Sequence, residues 1–443
     1  EGQAEAYRTL QQKLEEDALA MEERIKEKAD LRQDFKVLSD YYTLRADRYD
    51  ALGDILQSKS SVIIEGYVPD EYCDAVKNRL ENKYDILFES GEVPEEEDMP
   101  ILLKHNAFSD NFVGVVADYA LPKRHEIDPT TIMSFFYVFL FGMMLSDAAY
   151  GIIMTIACFV VLKKAPRMKQ SLRRMMSLFM YCGISTMFWG VMFGSYFGDM
   201  IPVVSKSFFG NEIIVKPVWL DMTQSPMTVL ALALGFGLIH IFTGMGVAAY
   251  QFAKQKDWAG FFFDVITWYV VLIGLIVKAL SMDMIMGILF AGKDPFFSQQ
   301  AGNIGLYAAG VGCIVLILFA GRTSKNPLKR LLKGIYAVYG ITGYLSDLLS
   351  YSRLLALGLA TGVISQVANM IGTMFGSGFV KVIVYILVFI IINAINIGIN
   401  TLGAYVHTNR LQYVEFFGRF YEGGGRPFTP YSIKTKYYKF KEN

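Results

Sequence analysis

The sequence predicts a mainly α-helical, polytopic membrane protein preceded by a water-soluble arm. Three observations support this. Of 443 residues, 53% are hydrophobic and only 19% are charged, against roughly 25% charged residues in soluble domains. The net charge of zero hides a split, because residues 1–130 hold 30 acids and 16 bases while residues 131–443 hold 12 acids and 26 bases. From position 132 onward, long apolar segments alternate with short polar loops. These features exclude a disordered or fibrous chain and argue against an ordinary soluble one.

The arm comes first, within a part expected to be cytoplasmic (1–130). Residues 2–56 read as a long helix or helical pair in an arm of 1–58. Leu10, Leu14, Ala18, Met21, Ile25, Phe35 and Leu38 recur near helical spacing among charged neighbours. That pattern suits one strand of a coiled coil, with a solvated surface helix as the lesser alternative. The thin seam asks for a partner helix. The chain begins at Glu1, without Met or a signal-like stretch, so an N-terminal portion is expected to be missing. Residues 59–122 read as a small α/β lobe: a strand in 61–69, a helix over 70–82, a second strand over 84–89 and an acidic loop at 92–98. No phosphate-binding loop occurs, so any nucleotide chemistry belongs to another subunit. Cys73, Cys158, Cys182 and Cys313 lack metal-ligand or disulfide spacing and read as packing residues. No metal, cofactor or nucleic-acid partner is expected.

The membrane part (131–443) offers eight candidate spans: 132–146, 148–163, 175–196, 227–251, 259–281, 304–321, 341–374 and 379–409. A spanning helix needs about 20 apolar residues. The first two are short and meet at Ser146–Asp147, so one bent hairpin is an alternative. The last two are long and expected to tilt or to extend beyond the lipid. If the arm is cytoplasmic, the inner loops 163–174, 252–258 and 322–333 carry 13 Lys or Arg, and the outer loops 197–226, 282–303 and 375–381 carry four. This distribution follows the positive-inside rule and puts the basic C-terminal tail in the cytoplasm too.

Charges inside spans are costly and commonly mark ion pathways. Arg353 falls in the middle of span seven, and Arg410 at the cytoplasmic end of span eight. No Asp or Glu occurs in 348–414, and Asp347 points to a different side of the helix from Arg353. The reading that follows is that Arg353 takes its counter-charge from another polypeptide. Asn393, Asn396, Asn400, His407 and Arg410 share one face of span eight, while Ser346, Ser350 and Arg353 follow helical steps on span seven. Two facing polar rows make a hydrated or hydrogen-bonded track. Structural alternatives stay open for each residue. Arg353 can bond backbone carbonyls, Arg410 can snorkel, and the asparagines can act as interhelical glue. His407 and His240 can be packing residues, Asp147 a turn residue, and Gly358, Gly362 and Ser365 a close-approach stripe.

At these residues the chain resembles a known family, the membrane-anchored stator subunit (subunit a, or I) of V-type and A-type rotary ATPases. YALPKRHEIDPT and FGMMLSDAAYG resemble its approach to the membrane and its first hairpin, SYSRLLALGLA resembles its essential-arginine segment, and VHTNRLQYVEFFGRFYEGGGRPFTPYS resembles its C-terminal signature. The resemblance implies that Arg353 is the essential arginine and Arg410 a second functional one. It implies a proteolipid rotor ring, peripheral stalks, a central-stalk subunit capping the ring and, indirectly, a catalytic ATPase head as partners. It also implies H⁺ or Na⁺ translocation, and the short loops suggest a prokaryotic plasma membrane. Eukaryotic relatives carry a carboxylate ten residues before the second arginine. Here that position is Asn400, so no acid role transfers. The competing class, a secondary ion-coupled transporter, asks for inverted repeats around a midplane site, and none is evident.

Overall fold

The computed structural model describes residues 2–53, 55–94, 97–166, 168–211, 213–290, 294–322, 326–374, 378–432 and 435–438. The chain is mainly helical and divides into two compact units, residues 1–102 with 427–443, and residues 103–426.

In the first unit, α1 (Gly2–Glu27) and α2 (Leu31–Gly53) flank a turn closed by i→i−3 hydrogen bonds, such as Leu31 N–H to Lys28 O at 3.1 Å. The predicted helical pair therefore forms. Its seam residues Leu10, Leu14, Met21, Ile25, Phe35 and Leu38 are 50–69% exposed. Among the described residues no coiled coil covers them. The short strands β1 (Leu56–Gln57) and β2 (Val62–Ile63) pair antiparallel, with Leu56 opposite Ile63. Helix α3 (Asp70–Glu81) starts where the sequence predicts.

The expected strand over 84–89 is a correction, since this stretch is irregular and Leu87 is 87% exposed. A strand is stabilised by its ladder and packed face, and the apolar residues here have neither. Positions 95 and 96 of the acidic loop lie outside the described residues. At the other end of the unit, buried Asp40 accepts backbone N–H bonds from Lys436 (2.9 Å), Tyr437 (3.0 Å) and Tyr438 (2.9 Å). Burial pushes its carboxyl up, but the three N–H donors and the Lys436 charge hold it below the usual carboxylate range.

The second unit opens with a short 3₁₀ turn (Ser109–Phe112) and α4 (Val113–Tyr119). The helices α5 (Thr130–Leu145), α6 (Ala148–Lys164), α7 (Gln170–Phe193), α8 (Met200–Phe209) and α9 (Pro226–Lys254) follow. A π-helical segment, Gly260–Ile266, leads into α10 (Thr267–Leu280), and then come α11 (Asp283–Leu289) and α12 (Gln299–Phe319). The chain ends in α13 (Pro327–Ser350), α14 (Ser352–Met374), α15 (Gly378–Arg410) and a second π-helical segment, Leu411–Phe416.

Among the described residues, six stretches are long and apolar enough to cross a membrane: Gln170–Phe193, Pro226–Lys254, Gly260–Leu280, Gln299–Phe319, Pro327–Met374 and Phe379–Arg419. The first two predicted spans appear as α5 and α6, of 16 and 17 residues. At about 1.5 Å per residue each falls short of a roughly 30 Å core. By that measure the count of eight is not reached.

Span seven begins at Pro327 rather than 341. Proline suits a first helical turn, and Lys329, Arg330 and Lys333, which the sequence reading assigned to a loop, extend from the helix end. With α14 it runs 48 residues, about 72 Å if straight, so it must tilt or project beyond the hydrocarbon. Parts of the loops counted for orientation (167, 212, 291–293, 323–325 and 375–377) lie outside the described residues.

The core of this unit is α5 packed on α7, α14 and α15, with α6 against α7. Asp147 organises it. Its carboxylate caps α6 by accepting from Ala149 and Tyr150 N–H, and it also accepts from Ser195 Oγ (2.7 Å) and from Phe197 and Gly198 N–H. The turn reading of Asp147 is therefore correct, and the turn is buried. Gly190 permits this approach, because a Cβ there would lie 2.0 Å from Ala148 N. All four cysteines are free, with Cys158 and Cys182 buried.

Candidate functional site

The predicted residues separate into three groups. The first is charged. The half-buried Arg353, one residue into α14, donates from Nε to Ser350 O (3.1 Å) and from Nη2 to Glu415 Oε1 (3.1 Å). Glu415 is 1% exposed and sits on the π-helical segment after α15. The expectation that Arg353 has no acidic partner in its own chain is thereby overturned. The acid-free window ended one residue short of Glu415, and the segment after α15 brings that residue to the α13–α14 junction.

Asp347 pairs with Arg419, whose guanidinium lies 3.9 Å from the Tyr344 ring centroid. Two cations and two anions thus meet at one end of the helices. The cluster is incompletely satisfied. Arg353 Nη1, Glu415 Oε2, Arg419 Nε and both amide atoms of Gln412 are buried without a hydrogen-bond partner. Of the predicted serines, Ser350 donates to Ser346 O (3.2 Å), and Ser346 itself is exposed. Interior polar groups are rarely left unpaired, which sets this cluster apart from the rest of the helix interior.

The second group is neutral and nearly satisfied. Asn393, Asn396 and Asn400 are buried on the face of α15 that meets α14 and α6. Tyr150 Oη on α6 donates to Asn393 Oδ1 (2.5 Å), contacts Ser365 Oγ (2.9 Å) and accepts from Asn396 Nδ2 (2.9 Å). Asn396 Nδ2 also donates to Thr361 O (3.2 Å) and Ser365 Oγ (3.0 Å). Asn400 Nδ2 bonds Asn396 O (3.0 Å) and its side-chain oxygen. Further along, Asn369 Nδ2 donates to Asp199 Oδ1 (3.0 Å) and Phe197 O (2.9 Å), while Tyr385 Oη donates to Asn369 Oδ1 (3.3 Å).

The third group stands apart. His407 is half-buried and Arg410 is exposed at the end of α15. The face of α15 opposite the asparagines shows Ile391, Ile395, Ile399, Leu402 and Val406, each at least half exposed.

A cavity of about 270 Å³ adjoins the α5–α6 break. It is lined by Ser146, Asp199 and Asp221, and by Gly358, Gly362 and Gln366 of α14. Sequence reasoning missed Tyr150, Asn369, Asp199, Gln412 and Glu415 as members of these clusters. For Glu415 a signal existed, since a lone acid follows Arg410 by five residues in an otherwise acid-free region. For Tyr150 there was none, because a tyrosine in an apolar helix reads as core.

Apolar helices of spanning length around a guanidinium and its buried carboxylate define a multi-pass membrane protein that holds charge between its helices. The chain belongs to the V-type ATPase 116kDa subunit family, whose model matches residues 4–226 and 333–433. It is 29% identical over 420 residues to the A-type ATP synthase subunit I of Methanocaldococcus jannaschii, covering 89% of this chain and 58% of the relative. To the A-type ATP synthase subunit I of Pyrococcus horikoshii it is 34% identical over 348 residues, covering 77% and 49%. To the V-type ATP synthase subunit I of Chlamydia trachomatis it is 22% identical over 417 residues, covering 82% and 61%. The chain thus spans roughly half to three fifths of the length of these relatives.

Proposed function

We propose that this chain is the ion-translocating stator subunit of a V/A-type rotary ATPase. It couples H⁺ or Na⁺ movement to ATP hydrolysis or synthesis on other subunits. The single observation that carries this reading is Arg353, a half-buried arginine in a membrane helix whose guanidinium is only partly satisfied. The exposed aliphatic face of α15 is the surface for a rotor ring of proteolipid subunits, each bearing an ion-binding carboxylate. Peripheral stalks hold the cytoplasmic arm, a central-stalk subunit caps the ring, and the catalytic head couples indirectly. The arm and the C-terminal tail face the cytoplasm, on the side of the basic loops, in a prokaryotic plasma membrane.

Arg353 exchanges between Glu415 and each passing, empty ring carboxylate. At 4 Å and an effective dielectric near 20, such a pair is worth about 4 kcal/mol. That is comparable to the roughly 2.3 kcal/mol per charge delivered by 100 mV, so the contact favours ion release yet yields to rotation. Arginine stays charged throughout and donates no proton. Its fixed charge blocks direct leakage between two offset half-channels. The cavity beside Asp199 and Asp221 supplies the outer one, on the side away from the basic loops. Arg410 and His407 stand at the cytoplasmic end of α15, where the ring carboxylate meets the inner one. Ser346 and Ser350 line the same end.

The test is ATP-driven ion uptake into native membrane vesicles, with and without sodium and a protonophore. Replacing Arg353 with Ala abolishes uptake per assembled complex, with subunit abundance measured alongside. Wild-type coupled pumping by that variant refutes the reading.

A further inference from the structure

We propose that His240 is a positioning residue for the Arg353–Glu415 pair, an inference that rests on the functional reading above. Both members of that pair are carried by irregular backbone. Arg353 follows a tightened turn in which Tyr351 N–H bonds Leu348 O, an i→i−3 step at 3.1 Å that separates α13 from α14. Glu415 lies on the π-helical segment Leu411–Phe416. Short 3₁₀ and π departures re-aim the side chains beyond them, and they recur at functional sites.

One face of α9 meets both irregularities. Gly237, His240 and Gly244 fall on that face at steps of three and four. The Tyr351 ring lies over Gly237 so closely that a Cβ would come within 2.5 Å of it. The Phe416 ring covers Gly244, where a Cβ would stand 3.1 Å away. Between the two, His240 is fully buried. Its Nδ1 makes a 2.8 Å hydrogen bond with Tyr351 Oη. Its ring stacks on Phe416 at 4.6 Å and 14°, with Phe136 on another side at 4.5 Å.

His240 therefore holds Tyr351, two residues before Arg353, and Phe416, the residue after Glu415. Through these contacts it sets the separation of guanidinium and carboxylate. A misplacement of about 1 Å in such a pair is enough to change a rate by orders of magnitude. This role needs a hydrogen bond at Nδ1 and a flat ring, and it needs no change of protonation.

The test uses the whole complex in native vesicles and reads ions moved per ATP hydrolysed, alongside subunit abundance. H240F keeps the ring but loses the hydrogen bond, and Y351F removes the same bond from the other side. Each lowers the ion-to-ATP ratio by about tenfold, and the double variant falls no further than either single one. H240N, which keeps a hydrogen-bonding atom where Nδ1 stands but lacks the ring, recovers only the part of the ratio that the hydrogen bond supplies. A merely structural histidine lowers abundance and leaves the ratio unchanged. That result, or additive effects in the double variant, overturns the proposal. If H240F fails to assemble, Y351F decides, because it deletes only a hydroxyl. R353A run in parallel separates the two readings. If R353A is inactive but Y351F keeps the normal ratio, only the role of His240 falls, and if R353A pumps normally the functional reading itself falls.

Discussion

Two polar regions lie within a few turns of each other on α14 and α15, and they are built on opposite principles. Around Tyr150, Ser365, Asn393 and Asn396 every group is neutral, and donors and acceptors are paired across three helices. Around Arg353 and Glu415 the groups are charged, and several buried atoms have no partner. A satisfied neutral network resists change, because each bond broken leaves a buried group unpaired. An incompletely satisfied charged cluster stands closer to an alternative arrangement. The comparison teaches that a polar row in a membrane helix need not be an ion path. In this structure its middle is hydrogen-bonded among neutral groups, and its charged pair lies at its end.

Substitutions can break or sharpen this contrast. The largest effect is expected from Glu415→Gln. Removing one partner of a buried pair costs about 3–5 kcal/mol, so ATP-driven uptake in vesicles should fall at least a hundredfold, with sharply lower thermal stability of the detergent-solubilised complex. Uptake close to wild type would show that Arg353 needs no acid from its own chain.

Next comes Tyr150→Phe, which deletes the hydroxyl at the centre of the neutral network. Unpairing buried amides costs about 1–3 kcal/mol. A lower melting temperature with ions moved per ATP unchanged is expected. A changed ratio would place the asparagine row in the ion path and erase the contrast.

A smaller effect is expected from Asn400→Ala, since the amide bonds chiefly to Asn396, one turn away on its own helix. About 1 kcal/mol of stability should be lost, again with coupling retained.

The smallest effect lies outside both regions and serves as a control: an anion satisfied by backbone alone. The carboxyl of Asp40 is held below its usual range in the folded state. Its contribution to holding the tail is therefore present above the unfolded pKa of about 3.9 and is lost as pH falls through the lower folded value. Protection of the Lys436, Tyr437 and Tyr438 amides from hydrogen exchange, relative to the unfolded rate at each pH, should be high from about pH 5 upward and fall below about pH 4. Asp40→Asn should flatten that dependence while leaving ion transport alone.

Several elements were legible before any coordinates. The helical arm, the start of α3, the apolar helices from 132 onward and a turn at Asp147 follow from periodicity, capping chemistry and apolar length, whereas the burial of that turn came only with the structure. The strand expected at 84–89 was not legible, because β-rich composition cannot show whether a neighbouring ladder exists. The start of α13 was misplaced because lysines and arginines at a helix end look like a loop. The candidate site was half legible. Arg353 and the asparagines stood out because polar groups inside apolar segments are costly, whereas Tyr150 and Glu415 joined them only through contacts spanning 243 residues in one case and 62 in the other.

Composition and pattern alone thus pointed to a multi-pass helical protein with an acidic, charge-rich N-terminal arm and a lone arginine in an apolar run. Those properties are local, set by transfer of side chains between water and hydrocarbon. Tertiary structure decided which acid faces that arginine, that the asparagines bond Tyr150, Ser365 and each other, and that α9 packs on Tyr351 and Phe416, beside the two halves of the charged pair. Partnership among buried polar groups depends on which helices touch, and spacing along one helix does not encode that.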